Sequence, residues 1–273
     1  MENRDKPPCA ACLFVVQGKG EMQFRVRAFY LHFLASAVAL TIVLGVLYAV
    51  WYGWPGWYLV GALPVAAIMV MVDVGLGPLA TLVIANPSKP RTEFRRDLTV
   101  ILLIQVLALG YGTLTLWKGR PLYYAFSIDR LEVVSASDID EQEMEAARNE
   151  NPAFVPGPFS APRWVWAPLP KDEDERKRIV ESAVFAGGKD VVQMPRYFKP
   201  YEQAHTAIRA QLKPIEEIRG LTKTEKERLA PQFAPLGGPD KIGALLFDGP
   251  SKNAVAVMDR ESLEIKAILK REP

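Results

Sequence analysis

"IMVMVDVGLGPLATLVIANPSKPR", residues 68–91, is an apolar run long enough to cross a bilayer, yet it carries Asp73, Gly75, Gly77 and Pro78 near its middle. A carboxylate at mid-helix costs about 2.5–3.5 kcal/mol on insertion scales, so Asp73 needs a structural or functional reason. Pro78 has no amide hydrogen and its ring crowds the carbonyl of Val74, which predicts a kink. Gly75 and Gly77 remove side-chain bulk beside it and would let a neighbouring helix approach closely.

Working outward, the chain of 273 residues has a formal charge of +2 and 49% apolar residues, an average that hides a division. Every long apolar stretch precedes Lys118, while the remainder is punctuated by charges and prolines. Three stretches reach the roughly 20 residues that span a bilayer core: Ala28 to Tyr52, Trp57 to Ala85 and Leu98 to Trp117. The first is too long for a signal-peptide core and lacks a small-residue cleavage site, so it is read as retained. The fold class expected is a membrane protein with three transmembrane α-helices (residues 22–117) followed by a soluble α+β domain (residues 118–273). Residues 1–21 read as a disordered N-terminal extension.

Flanking charge orients the spans. Arg4, Lys6, Lys19, Arg25 and Arg27 precede the first, and Lys89, Arg91, Arg95 and Arg96 separate the second from the third. The connection WYGWPGWY between the first two has no Lys or Arg. The positive-inside rule therefore places the N-terminus in the cytoplasm and the C-terminal domain on the far side. Trp51, Trp54, Trp57, Tyr58 and Trp117 suit the outer interfacial belt, whereas Lys118 and Arg120 run against the charge asymmetry.

Counting about 1.5 Å per residue from the cytoplasmic ends sorts the polar residues by depth. His32, Ser36 and Gln105 form a shallow layer that is expected to face inward together. Asp73 lies near the midplane with Thr41 and Tyr111, and is expected to turn toward one of them. Three readings of Asp73 stay open: an internal hydrogen bond in a kinked bundle, a docking site for a partner's transmembrane helix, or chemistry. Aspartyl intramembrane proteolysis needs a second carboxylate at the same depth, and the membrane half has none.

The far half offers no active site. Its basic and acidic residues are nearly balanced and interspersed, which removes nucleic acid as a partner. His205 is the one histidine there and sits on a helical stretch without a nucleophile system around it. Asp129 and Arg130 read as a turn pair between strands over Leu122–Ile128 and Leu131–Val134, with ligand binding as the other reading. Ser137 is expected to cap a helix, Thr222 or Thr224 another, and Gly187 and Gly188 to end a third. IGALLFDG, AVAVMD and LEIKAIL close the chain as three strands at hairpin spacing, in a sheet with its helices grouped on one side. Cys9 and Cys12 form a lone CxxC with no second pair or histidine to complete a metal site. No catalytic residue, metal site or cofactor is expected.

The combination of RAFYLHFLASA, VDVGLGPLATLVI, YGTLTLWKGRP and YYAFSIDRLEVVSASDID resembles the TfpX/TfpZ family of type IV pilin accessory proteins. The resemblance runs from about Met22 onward and is most specific at DVGLGP and GRPLYYAFSIDR. It implies a bacterial inner-membrane factor with a periplasmic domain that promotes assembly or surface display of a major type IV pilin, without enzymatic activity. Pilin and other pilus assembly proteins would be its partners, beside the lipid bilayer. Asp73, Gly75, Gly77 and Pro78 are the candidate pilin-binding positions. A membrane-anchored periplasmic ligand sensor is the alternative, opposed by a cytoplasmic portion of only a short tail and one loop.

Overall fold

The computed structural model describes residues 10–185, 187–238 and 240–271. Cys9 and the side chain of Cys12 lie outside what is described. The chain forms two compact units: one runs up to Val46 and resumes over Pro64–Thr115, the other comprises Leu47–Leu63 and everything from Leu116.

The first unit is built on three helical paths. α1 (Ala10–Leu47) passes into a π-turn at Tyr48–Tyr52, so it includes residues 10–21 of the segment read as an extension. The second path is α3 (Leu63–Val70), a π-turn over Met71–Leu76, then α4 (Gly77–Ile84). α5 (Arg91–Gly119) is the third. Glu21–Tyr52, Leu63–Ile84 and Arg91–Gly119 are each long and apolar enough to cross a membrane.

Pro78 explains the π-turn. It cannot donate to the Val74 carbonyl, and the preceding turn widens so that the Gly77 amide reaches Val72, five residues back. The expected kink thus takes the form of a widened turn inside a continuous helical path.

The second span was expected from Trp57, but the helix restarts only at Leu63. Gly61, at φ 74°, is left-handed and ends the short helix α2 (Gly56–Val60), accepting no side chain without strain. α2 belongs to the second unit, where Leu59 is fully buried. The Leu59 carbonyl accepts from the Ser251 and Lys252 amides, both at 3.1 Å, and Tyr58 donates to the Arg271 carbonyl at 3.1 Å. What reads as a plain interfacial turn is therefore built into the core of the α+β unit.

That unit holds a seven-stranded mixed sheet in the order β4-β3-β1-β2-β5-β6-β7. The strands are β1 (Pro121–Ser127), β2 (Arg130–Ser135), β3 (Arg163–Trp166), β4 (Lys199–Pro200), β5 (Ile242–Asp248), β6 (Asn253–Asp259) and β7 (Ile265–Lys270). β1–β2, β5–β6 and β6–β7 are antiparallel neighbours, and β2 meets β5 in parallel. Ser127 pairs with Arg130, so the first hairpin turns on Ile128 and Asp129, one residue earlier than expected. Ile128 takes φ 52° there, an uncommon choice for a β-branched residue.

Helices cover both faces of the sheet, which corrects the one-sided arrangement expected. Along each strand alternate residues point to opposite faces. Phe126, Leu131, Val133, Leu245 and Phe247 pack with α2 and with α8 (His205–Gln211). On the other face Tyr123, Val134 and Val165 pack with Ile139, Val191 and Phe198, and Ala244, Leu246, Val255 and Val257 with Leu229 of α9 (Lys223–Leu229). Two further helices, α6 (Glu141–Glu150) and α7 (Glu173–Phe185), complete the unit. Asp140 caps α6 through the Glu143 amide, not Ser137; in the turn before it the Asp138 carboxylate accepts from the Ser135 amide at 2.7 Å. Thr222 caps α9 as expected, in a box with Glu225.

Candidate functional site

The π-turn sets the geometry of a buried polar chain in the first unit. His32 of α1, Thr81 of α4, Gln105 of α5 and Asp73 of the π-turn are all buried. His32 Nδ1 lies 2.6 Å from Thr81 Oγ1 and His32 Nε2 lies 2.7 Å from Gln105 Oε1. Gln105 Nε2 donates to the Asp73 carbonyl at 2.9 Å. That last bond orients the amide: its NH2 faces Asp73, so its oxygen faces His32 and must accept. His32 therefore carries a proton on Nε2. The Thr81 hydroxyl donates to the Gly77 carbonyl at 3.2 Å and also contacts His32 Nδ1.

The shallow layer thus unites His32 and Gln105, joined by Thr81, while Ser36 is half-buried and takes no part. The midplane pairing does not form: Thr41 is exposed and Tyr111 is 76% exposed. Asp73 enters the network through its backbone carbonyl. Its side chain is 4% exposed in all, and Oδ2 has no hydrogen-bond partner among the described residues. A carboxylate oxygen kept from water without a donor is unusual and costly.

The glycines beside it divide. A Cβ on Gly77 would run into the Gln105 side-chain amide, so its hydrogen lets α5 approach and the bond to Asp73 form. A Cβ on Gly75 would meet nothing within 4 Å. Pro78 is buried, whereas Leu76 and Leu79 are 55% and 50% exposed. Of the four expected docking positions, Asp73, Gly77 and Pro78 turn into the bundle and Gly75 faces open space. Thr81 is the member that reading by depth passed over. It lies four residues from Ala85, about 6 Å along the helix, matching His32's position after Ala28.

In the second unit Arg130 donates from Nε to Asp129 at 2.9 Å and from Nη1 to Asp248 at 3.1 Å, tying the hairpin to β5. Glu132, half-buried two residues further along β2, pairs with Asp248 in register. Burial first, then the nearby Asp190, pushes its carboxyl up to about 7. His205 opens α8 with its ring edge-on to Tyr201, centroids 6.3 Å apart. Among the described residues no group of three or more His, Cys, Asp or Glu side chains is placed to hold a metal ion.

Three helices of membrane-crossing length locked by a buried polar chain, and an α+β unit that claims the loop between the first two, define the class of architecture. Comparison with known proteins supplies the family. The chain is 30% identical over 199 residues to a fimbrial assembly protein, serogroup I, of Dichelobacter nodosus, covering 73% of this chain and 76% of the relative. It is 29% identical over the same length to the serogroup E1 fimbrial assembly protein of that organism. A third relative, the fimbrial assembly protein of serogroups C1 and C2, is 30% identical over 129 residues, 98% of its own length. The chain belongs to this family of fimbrial assembly proteins. No family model matches it, and no solved structure matches it.

Proposed function

We propose that the protein is a non-enzymatic accessory factor of type IV pilus assembly, of the TfpX/TfpZ kind, that docks a major pilin in the inner membrane. The observation that carries this reading is the relationship over 199 residues to proteins named for fimbrial assembly. The three apolar helices support insertion in the bilayer, and the basic residues at positions 4–27, ahead of the first apolar stretch, and at 89–96, ahead of the third, support a cytoplasmic N-terminus and a periplasmic α+β unit. Docking uses the outward side of the π-turn. Gly75, with open space where a Cβ would stand, follows one path with the exposed Leu76 and Leu79, a small-residue surface of the kind on which transmembrane helices approach closely. Asp73, Gly77 and Pro78 act from inside, holding the turn that presents Gly75.

The test is in-membrane photocrosslinking from Leu76 and Leu79 in cells that assemble pili, with Gly75→Leu as the perturbation. A pilin adduct that Gly75→Leu abolishes, while the helices stay folded, is the expected result. Adducts only to lipid or to the protein itself would refute docking at this surface. The ligand-sensor reading has no observation in its favour here.

A further inference from the structure

Lys118 and Arg120, which run against the charge asymmetry of the spans, line one cavity of about 380 Å³ in the second unit together with Trp117, Ile139, Met144 and Arg148. The other charges around it are already engaged. Arg148 donates to Glu141 at 2.6 Å, and Asp140 pairs with Lys189 while capping α6. Lys118 and Arg120 have no carboxylate partner among the described residues.

Arg120 is nonetheless held in place. Its Nη1 donates to the Trp117 carbonyl at 2.6 Å and its Cζ lies 4.0 Å over the Trp117 ring, a cation–π stack that fixes the guanidinium plane. Its Nε is buried with no acceptor. A pre-placed guanidinium with an unused donor, beside an exposed ammonium, suits an anion with several acceptor oxygens, and phosphate is the group that such forks recognise. The place of these residues identifies the source. Trp117 and Lys118 close α5, and Arg120 follows directly, so on the reading of α5 as a membrane span both cations stand where hydrocarbon gives way to headgroups.

We propose that this cavity binds the phosphate of an anionic phospholipid. The inference rests on the membrane-spanning reading of α5 and is independent of pilin docking, since its test involves no pilin. It also gives two cations on the side opposite the basic loops a reason to be there.

The full-length protein would be exchanged into phosphatidylcholine or an equimolar mixture with phosphatidylglycerol, then delipidated in neutral detergent, and the retained lipid identified by native mass spectrometry. Retained phosphatidylglycerol should exceed phosphatidylcholine, and Lys118→Gln and Arg120→Gln should each cut that enrichment about fivefold, the worth of one cation near an anionic surface. Lys223→Gln, on the distant α9, should leave it unchanged. Because Arg120→Gln also removes the stack on Trp117, the exposed Lys118 provides the variant that keeps the fold. Equal enrichment in wild type and both variants would overturn the cavity as the site. Thermal stabilisation by inorganic phosphate without preference for phosphatidylglycerol would overturn the lipid as its ligand.

Discussion

Gly77 and Gln105 should be energetically coupled, because one is small to make room for the other. A Cβ at position 77 overlaps the Gln105 amide, and overpacking of this kind costs about 1–3 kcal/mol. Gln105→Ala loses two hydrogen bonds, to His32 and to the Asp73 carbonyl, each worth about 0.6 and up to about 1.7 kcal/mol between membrane helices. Each single substitution is therefore expected to destabilise the bundle by about 1–3 kcal/mol. In the double variant the amide is gone, the new methyl group has room, and the total should approach that of Gln105→Ala alone. The interaction term of the cycle should then offset most of the cost of Gly77→Ala, against the roughly 0.5 kcal/mol scatter seen for independent sites. All six tryptophans lie outside the first unit, so unfolding is best followed by helical circular dichroism, titrating denaturing detergent into the full-length protein in mild micelles. Gly75→Ala, with nothing near the added carbon, serves as the control and should change stability by less than about 0.5 kcal/mol. Additive losses from Gly77→Ala and Gln105→Ala, or an equal loss from Gly75→Ala, would refute the packing.

The second unit supports three further expectations. Leu59→Ala, in the connection between the first two long helical paths, should cost about 2–5 kcal/mol in tryptophan-monitored unfolding of the full chain, because its side chain is fully buried under the sheet; a change under about 0.5 kcal/mol would take the connection out of the core. Glu132, raised to about 7, binds its proton more tightly folded than unfolded, so stability should fall as pH rises from about 4.5 to about 7 and stay low above; Glu132→Gln should flatten that decline and stabilise the protein at alkaline pH, and an unchanged profile would show that Glu132 is not the group responsible. Glu225 is held down to about 2, first by its hydrogen bond from Arg271 and also by the Thr222 amide. Its contribution is complete above about 4.5 and lost as pH falls toward about 2, so Arg271→Gln should lower stability at neutral pH and shrink the acid-induced loss in that window, measured by acid titration of the same unfolding signal.

The second unit was legible where its signals are local. The three closing strands, the Thr222 cap and the extended segments on either side of Ile128 follow from alternation, hydroxyl caps and turn residues that act within a few positions. What escaped depends on partners distant in sequence. Nothing in WYGWPGWYLV indicates that the Leu59 carbonyl will be met by amides at 251 and 252, and the two-sided covering of the sheet rests on which face each helix reaches after long connections. The Ser137 cap failed on a subtler point: the Asp138 carboxylate is taken up by the Ser135 amide in its own turn, and Asp140 is the residue that stands at the true start of α6 and accepts from the Glu143 amide.

In the first unit His32 and Gln105 do meet, and the misplaced partner of Asp73 shows what counting along the helix omits. Each helical residue advances about 100° around the axis as well as 1.5 Å along it. Thr41 lies nine residues beyond His32, about 180° away, so once His32 faces inward Thr41 must face out, and it does. Tyr111, six residues beyond Gln105, is turned by about 120° from it and is likewise exposed. Ser36 is only about 40° from His32, yet sits a full turn further along, beyond the reach of Thr81 and Gln105. The same rotation rule fails in the second helical path, because the π-turn at Met71–Leu76 changes the angle per residue just where Asp73 and Thr81 must be related. Pro78 is the sequence feature that gives warning of this. A helix that cannot bond to Val74 has to widen, and it is the widened turn that carries the Asp73 carbonyl to Gln105 while Gly75 is left uncovered.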